Sequence, residues 1–79
     1  MLPAHLTPLE IFDVGIHSES LAYRMYDRLS RRVEIATLQA RLAQLKKDEK
    51  DHRKTLRAHR RGLFGAAPVS ISEADAEAI

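Results

Sequence analysis

The chain has 79 residues and no cysteine, which excludes disulfides and thiolate metal sites. A domain this small buries only about 60% of its unfolded surface, which favours reinforcement by a partner subunit or by a metal held by His and carboxylates. The longest apolar run is three residues, too short for a membrane span or a signal-peptide core, so we expect a cytoplasmic protein. The four aromatic residues include no tryptophan, which argues against a stacking surface for single-stranded nucleic acid.

The first helix is predicted over residues 8–31. Thr7-Pro8-Leu9-Glu10 combines an N-cap hydroxyl, proline at the first helical position and glutamate at the third. From Phe12 to Val33, apolar residues, together with Gly15 and Glu19, then recur in steps of three and four. This spacing defines one helical face. Gly15 on that face would allow a neighbouring element to approach closely.

A second helix is predicted over residues 35–61. Along one face of this helix, which we call its seam, residues recur in regularly alternating steps of four and three. These residues are Leu38, Leu42, Leu45, Glu49, His52, Leu56 and His59. This spacing is typical of left-handed helical bundles. Gly62, Gly65 and Pro68 are expected to end the helix, and Ser72 begins a short helix over 73–78 in the tail.

The connection between the two long helices is poorly marked, because Ser30 to Glu34 contains neither glycine nor proline. A single unbroken helix is therefore an alternative. We favour an antiparallel hairpin that turns at Arg32–Ile35, because position 34 lies midway between Glu19 and Glu49 and places them at about the same level. Residues 1–79 then form one domain, with a tail over 62–79.

Both apolar seams are interrupted by side chains that can bind a metal. Glu19 replaces a hydrophobic residue in the first seam, and Glu49 with His52 forms Glu-x-x-His in the second, where residues three apart share a helix face. An unpaired buried carboxylate is costly, so compensation is expected. A buried Glu–His network, salt bridges to Arg24 or Arg53, and a metal ion are the three alternatives. We favour the metal because one ion satisfies several oxygens at once.

Two further histidines are expected to lie outside this metal site. His59 lies seven residues after His52 on the same seam, where it could be an auxiliary or entry-site ligand, although such a residue more often caps the end of a bundle. His17 lies two residues before Glu19 and therefore on a different helix face, so we expect it at the surface.

The number of ligands predicts a dimer. One chain offers two glutamates and one histidine, too few for a pair of metal ions, and a lone hairpin leaves its apolar stripes open on one side. Two-fold pairing solves both problems and gives an all-α four-helix bundle whose core presents four glutamates and two histidines. This is the ligand set of ferritin-like dimetal carboxylate bundles. Fe(II), Mn(II) and Zn(II) all suit such ligands.

The stretch from residue 9 to residue 60 resembles the first half of a rubrerythrin or ferritin-like domain. The matching residues are Glu19, Ala22, Tyr26 and Leu29, followed by Asp48-Glu49-Lys50-Asp51-His52. The resemblance implies a non-haem di-iron centre that oxidises ferrous iron with oxygen or peroxide. It matches Glu49 to the bridging carboxylate, Glu19 and His52 to terminal ligands, and Tyr26 to a tyrosine that hydrogen-bonds a ligand carboxylate.

A full domain of that family carries a second helix pair, which this sequence lacks. Encapsulated ferritins are also half bundles, so the resemblance implies a homodimer, a ring of dimers and storage of iron inside an encapsulin shell. Residues 66–79 contain no recognisable docking peptide for such a shell, and the N-terminal half of a longer rubrerythrin-like protein is the alternative. Without cysteine there is no rubredoxin-type iron, which favours a ferroxidase over a complete peroxidase.

A basic helical hairpin that binds another macromolecule is the competing function. All 13 Lys and Arg residues lie between Arg24 and Arg61, whereas both ends of the chain are net acidic. Such a segment would suit nucleic acid or an anionic surface. However, charge runs on helices are usually solvated faces, and acids interleave with the bases here, so binding to nucleic acid is not expected.

Overall fold

The computed structural model describes residues 5–79, so residues 1–4 of the predicted domain lie outside it. The described chain contains three helices and no strand: α1 spans Pro8–Ser30, α2 spans Ala36–Phe64 and α3 spans Glu73–Glu77. The predicted all-helical class, with two long helices and one short one, is confirmed. None of the described helices combines the length and the apolar character that crossing a membrane requires.

The start of α1 is fixed by the predicted capping box. The backbone N–H of Glu10 donates to the Thr7 hydroxyl at 3.2 Å, and the backbone N–H of Thr7 donates to Glu10 Oε1 at 2.9 Å. These two bonds satisfy donors that the first turn of a helix leaves free, and Pro8 has no N–H that would need a partner. The local sequence alone therefore determines where α1 begins.

The two long helices run antiparallel, as the hairpin interpretation predicts. Contacting pairs follow opposite directions along the helices: Phe12 with Phe64, Ser20 with Arg53 and Asp27 with Lys46. A Cβ atom added at Gly15 would lie 3.4 Å from Leu56 Cδ1, so the two helices are in close contact at this point. The alternative of one unbroken helix is wrong, because the chain leaves helical geometry between residues 31 and 35.

The end of α2 differs from the prediction. The helix continues through Gly62 to Phe64 and is capped by Gly65, which has a φ of 63° and whose N–H donates to the Arg61 carbonyl at 2.9 Å. A positive φ is easily adopted only by glycine, so Gly65 is the residue that stops the helix. Gly62 lowers the local helix propensity without breaking the backbone hydrogen bonds.

A buried ion pair joins both long helices to the tail. Arg60 Nε donates to Asp13 Oδ1 at 2.6 Å, and the Ser70 backbone N–H and hydroxyl donate to Asp13 Oδ2 at 2.8 and 2.7 Å. Arg60 also donates to the carbonyls of Ala67 and Pro68, at 2.8 and 3.0 Å. We call this network around Asp13, Arg60 and Ser70 the clasp. It holds the tail against α1 and α2.

The short helix α3 packs on α1. Its N-cap Ser72 accepts the Asp75 N–H at 3.2 Å, and Ala76 is buried. His17 Nε2 lies 3.1 Å from Glu77 Oε1, and only 13% of the His17 side chain is exposed. The expectation that His17 lies at the surface was therefore wrong, because the tail covers this face of α1.

The described chain has little apolar core of its own. Asp13 and Ala76 are its only buried residues, and no large side chain is fully buried. The exposed large apolar side chains are Ile11, Met25, Leu29, Ile35, Leu38, Leu63, Val69 and Ile79. Hydrophobic burial is usually the main term that stabilises a fold, and this chain has little of it. The stability of the hairpin therefore depends strongly on the polar contacts of the clasp.

We expect Asp13→Asn to lower the free energy of unfolding by about 3 kcal/mol, because it leaves the buried Arg60 guanidinium without its counter-charge. Ser70→Ala removes one hydroxyl donor and should cost about 1 kcal/mol. Urea unfolding followed by circular dichroism at neutral pH measures both values. Equal losses in the two variants would show that the ion pair itself contributes little.

The clasp also predicts sensitivity to acid. Burial alone raises the pKa of Asp13, but hydrogen bonds from Arg60 and Ser70 outweigh it and lower the pKa below its ordinary value. The folded state then binds fewer protons than the unfolded state, so this stabilisation is complete above the unfolded pKa of about 3.9 and is lost as the pH falls through the folded pKa. Urea unfolding between about pH 5 and pH 2 should show a steeper loss in the wild type than in Asp13→Asn.

Candidate metal centre

Three of the predicted site residues converge in the structure. Glu19 comes from α1 and Glu49 and His52 from α2, and one ligand atom of each lies within 4.8 Å of the others. His52 Nδ1 is 3.6 Å from Glu19 Oε2 and 4.0 Å from Glu49 Oε2. We call these three residues the triad.

The two helices position the triad by simple geometry. Glu49 and His52 lie three residues apart on α2 and therefore project from the same side of that helix. The antiparallel pairing brings Glu19, near the middle of α1, to their level, because Ser20 already contacts Arg53 at 3.3 Å. The triad thus lies in the middle of the hairpin, where fraying of the helix ends does not reach it.

The two carboxylates of the triad are largely shielded from solvent, whereas the imidazole is exposed to it. The side chains of Glu19 and Glu49 are 24% and 17% exposed, whereas His52 is 61% exposed. Glu19 Oε2 itself is shielded from solvent and has no hydrogen-bond partner among the described residues. Its 3.6 Å separation from His52 is within ion-pairing distance but too long for a hydrogen bond. A buried acceptor without a hydrogen bond costs about 1–3 kcal/mol, so this oxygen is a candidate for binding a further group.

Of the two alternatives to a metal, salt bridges to the nearby arginines find no support in the described residues. Neither Arg24 nor Arg53 forms an ion pair with a triad carboxylate; Arg53 instead donates to the Ser20 hydroxyl and lies 5.9 Å from the centre of the Tyr23 ring. His52 lies within ion-pairing distance of Glu19 and Glu49, at 3.6 and 4.0 Å, so a Glu–His network remains an alternative, although both distances are too long for hydrogen bonds. The same three side chains could also hold a metal ion.

The spacing of the triad fits one divalent ion. Ligand atoms about 2.1 Å from a shared ion lie about 3–4 Å from one another. The two His52 distances, 3.6 and 4.0 Å, fall in that range, and one ligand atom of each of the three residues lies within 4.8 Å of the others. Carboxylate oxygens with an imidazole suit Fe(II), Mn(II) or Zn(II). Three protein ligands leave further coordination positions for a second carboxylate, water or substrate.

Two other predicted residues take no part in these contacts. Tyr26, two turns after Glu19, is half-buried but makes no hydrogen bond to a triad carboxylate within the part of the chain that the structure describes. Its predicted role as a hydrogen-bond donor to a ligand therefore stays a prediction. His59 is exposed, which agrees with a position outside the triad.

Two features on the side of the hairpin away from the triad were not predicted from the sequence. One is the clasp, and the other is a cavity beneath the tail whose lining includes three arginines. The available signal was the position of Asp13, which lies three and four residues before Ile16 and His17 and so shares their helix face. Nothing local indicated that the tail folds back onto that face.

Comparison with known proteins finds no matching family model, no similar curated protein and no similar solved structure. The ferritin-like interpretation therefore depends on the residue pattern and on the geometry of the triad.

We expect Glu19→Gln to raise the unfolding free energy of the metal-free protein by about 1 kcal/mol, because the neutral amide can donate to the neighbouring carboxylate and removes a like-charge contact. The same variant should lose the stabilisation that Mn(II) gives the wild type. Urea unfolding with and without Mn(II) measures both effects, with the exposed Glu34→Gln as the matched control. Destabilisation of metal-free Glu19→Gln would contradict the view that this carboxylate lacks a partner.

Proposed function

We propose that two copies of the chain pair as a four-helix bundle, bind a pair of metal ions at their two triads and oxidise ferrous iron there. The observation that carries the proposal is the shielded Glu19 Oε2, which has no hydrogen-bond partner among the described residues and lies within a cluster of three side chains that could hold a metal ion. The resemblance to ferritin-like half domains favours iron over manganese and zinc. The proposed activity is that of a ferroxidase.

The surface that a second copy would cover lies opposite the tail. Successive helix residues are about 100° apart, so Ile11, Met25 and Leu29 lie on the side of α1 away from Asp13 and His17, which contact the tail. On α2, Leu38 and Leu63 lie on the corresponding side. We call the surface formed by Ile11, Met25, Leu29, Leu38 and Leu63 the open face. All five side chains are exposed in the single chain.

The triad borders the open face. His52 lies fourteen residues after Leu38 and eleven before Leu63, which are close to whole numbers of helical turns. Its exposed imidazole therefore points to the side where the second copy would pack. Each large apolar side chain covered there would contribute about 1 kcal/mol or more. Pairing would bury the open face and complete the ligand set in one step.

The charges of a dimeric site suit ferrous iron as a substrate. Four carboxylates balance the four positive charges of two Fe(II) ions, and their fixed negative charge favours the ferric product because attraction grows with the charge of the ion. Each Fe(II) loses one electron. With two protons, the two electrons reduce dioxygen to hydrogen peroxide, or hydrogen peroxide to two molecules of water. The residues of this chain bind the iron, and His52 and the carboxylates hold it in place.

An anaerobic ferrous titration read by native mass spectrometry tests the proposal. We expect two irons per dimer in the wild type and none in Glu49→Ala, because each dimer then loses both carboxylates predicted to bridge the metals. Asp51→Ala is the matched control, since Asp51 is an exposed carboxylate on the same helix beside Lys47. A wild-type monomer without iron would contradict the proposal. Oxygen consumption by the iron-loaded dimer then distinguishes a protein that oxidises ferrous iron from one that only binds it.

The open face gives an independent prediction about assembly. We expect Leu38→Glu to weaken dimerisation at least about tenfold, because it would bury a charge at the subunit interface. Ala40→Glu is the control, because Ala40 is also exposed on α2 but lies on the other side of the helix. Sedimentation velocity over a concentration series measures both. Equal dissociation constants for the two variants would place the interface elsewhere.

A further inference from the structure

A cavity of about 540 Å³ lies between α1, α2 and the tail, on the side of the hairpin away from the open face. Its lining includes the side chains of Arg24 from α1 and Arg53 and Arg57 from α2, together with Ser20 and Tyr23. We propose that this cavity binds a phosphate group, either as inorganic phosphate or as a phosphate monoester. We call it the arginine cavity.

The arginine cavity has an excess of positive charge. None of its three arginines forms an ion pair with a carboxylate among the described residues. Two acids also line the cavity, but Asp13 is already bonded to Arg60 and Ser70. Glu73 is the one other carboxylate of the lining. A dianionic ligand would therefore compensate charge that the protein itself leaves unbalanced.

The sequence of α2 concentrates like charges on this side of the helix. Lys50, Arg53, Lys54, Arg57 and Arg61 are spaced three or four residues apart, and together they also line an adjoining pocket. Like charges at these spacings repel and destabilise an isolated helix. An anion bound between them would offset that repulsion by its attraction to several cations at once.

The best-placed arginine is held before any ligand arrives. Arg53 Nη1 donates to the Ser20 hydroxyl at 3.3 Å, and its guanidinium lies 5.9 Å from the centre of the Tyr23 ring. Arg57 follows one turn later on α2, and Arg24 lines the cavity from α1; both of these side chains are exposed and free to move toward a ligand. The planar guanidinium donates paired hydrogen bonds that match two phosphate oxygens. Fixing Arg53 in advance reduces the entropy lost on binding.

The remaining lining indicates what else the ligand can carry. Ile16, Val69, Ile71 and Ala76 supply apolar surface beside the arginines. The cavity is open to solvent on one side, and its volume of about 540 Å³ leaves room for more than a bare phosphate ion. A phosphate monoester could therefore place its phosphate on the arginines and its organic group against the tail.

Isothermal titration calorimetry of the full-length, metal-free protein tests the proposal, with inorganic phosphate and phenyl phosphate as probes at constant ionic strength. We expect the double variant Arg24→Gln/Arg57→Gln to bind both probes at least about tenfold more weakly, because it loses charge-assisted hydrogen bonds to the phosphate. Both arginines lack ion pairs, so the fold should be retained, as circular dichroism checks. Arg41→Gln is the matched control: Arg41 is exposed on α2 and does not line the cavity. It should bind within about twofold of the wild type.

The two probes distinguish the sources of the phosphate. Tighter binding of phenyl phosphate would support a monoester as the ligand, and equal affinities would support inorganic phosphate. Absence of phosphate binding, or an equal loss of affinity in Arg41→Gln, would overturn the proposal. So would binding of duplex DNA with a steep salt dependence and no affinity for either probe, because the arginines would then act as an open basic surface. The metal-free protein keeps this result separate from that of the iron titration.

Discussion

The buried pair of Asp13 and Arg60 is the interaction on which the rest of the structure depends. It fixes the register of α1 against α2, and Ser70 extends it to the tail. A slip of one residue would turn α2 by about 100° and move His52 away from Glu19. In a chain with so little apolar burial, a polar contact of defined geometry sets the alignment that hydrophobic packing sets in larger domains.

The hairpin has two sides of opposite chemical character. One side is covered by the tail and carries the arginine cavity, whereas the other carries the open face and the triad. On the covered side, Glu77 of the tail lies 3.1 Å from His17 of α1, and Glu73 contributes to the lining of the arginine cavity. This separation would let an anion and a cation bind to the same chain without competing for its side chains.

The features that could be predicted are those encoded within a few residues. The capping box at Thr7 involves residues three apart, and Glu49 and His52 share a face because of helical periodicity. The clasp could not be predicted, because Asp13 and Ser70 are 57 residues apart and no periodic pattern links them. Gly62 was expected to help end α2, but the helix continues through it. A glycine permits a helix to end without requiring it, and only Gly65 of the three glycines adopts a positive φ. Pairing into a bundle and the identity of the metal remain predictions from the pattern of ligands.

The clasp also constrains when the chain can fold. The contacts of Asp13 with Arg60 and Ser70 span 47 and 57 residues, so α1 is synthesised well before either partner of this acid. Long-range contacts form slowly because a large loop must first close. Until α2 and residue 70 have been made, α1 has none of these contacts and is only marginally stable as an isolated helix. Formation of the clasp is therefore a later step in folding than formation of α1.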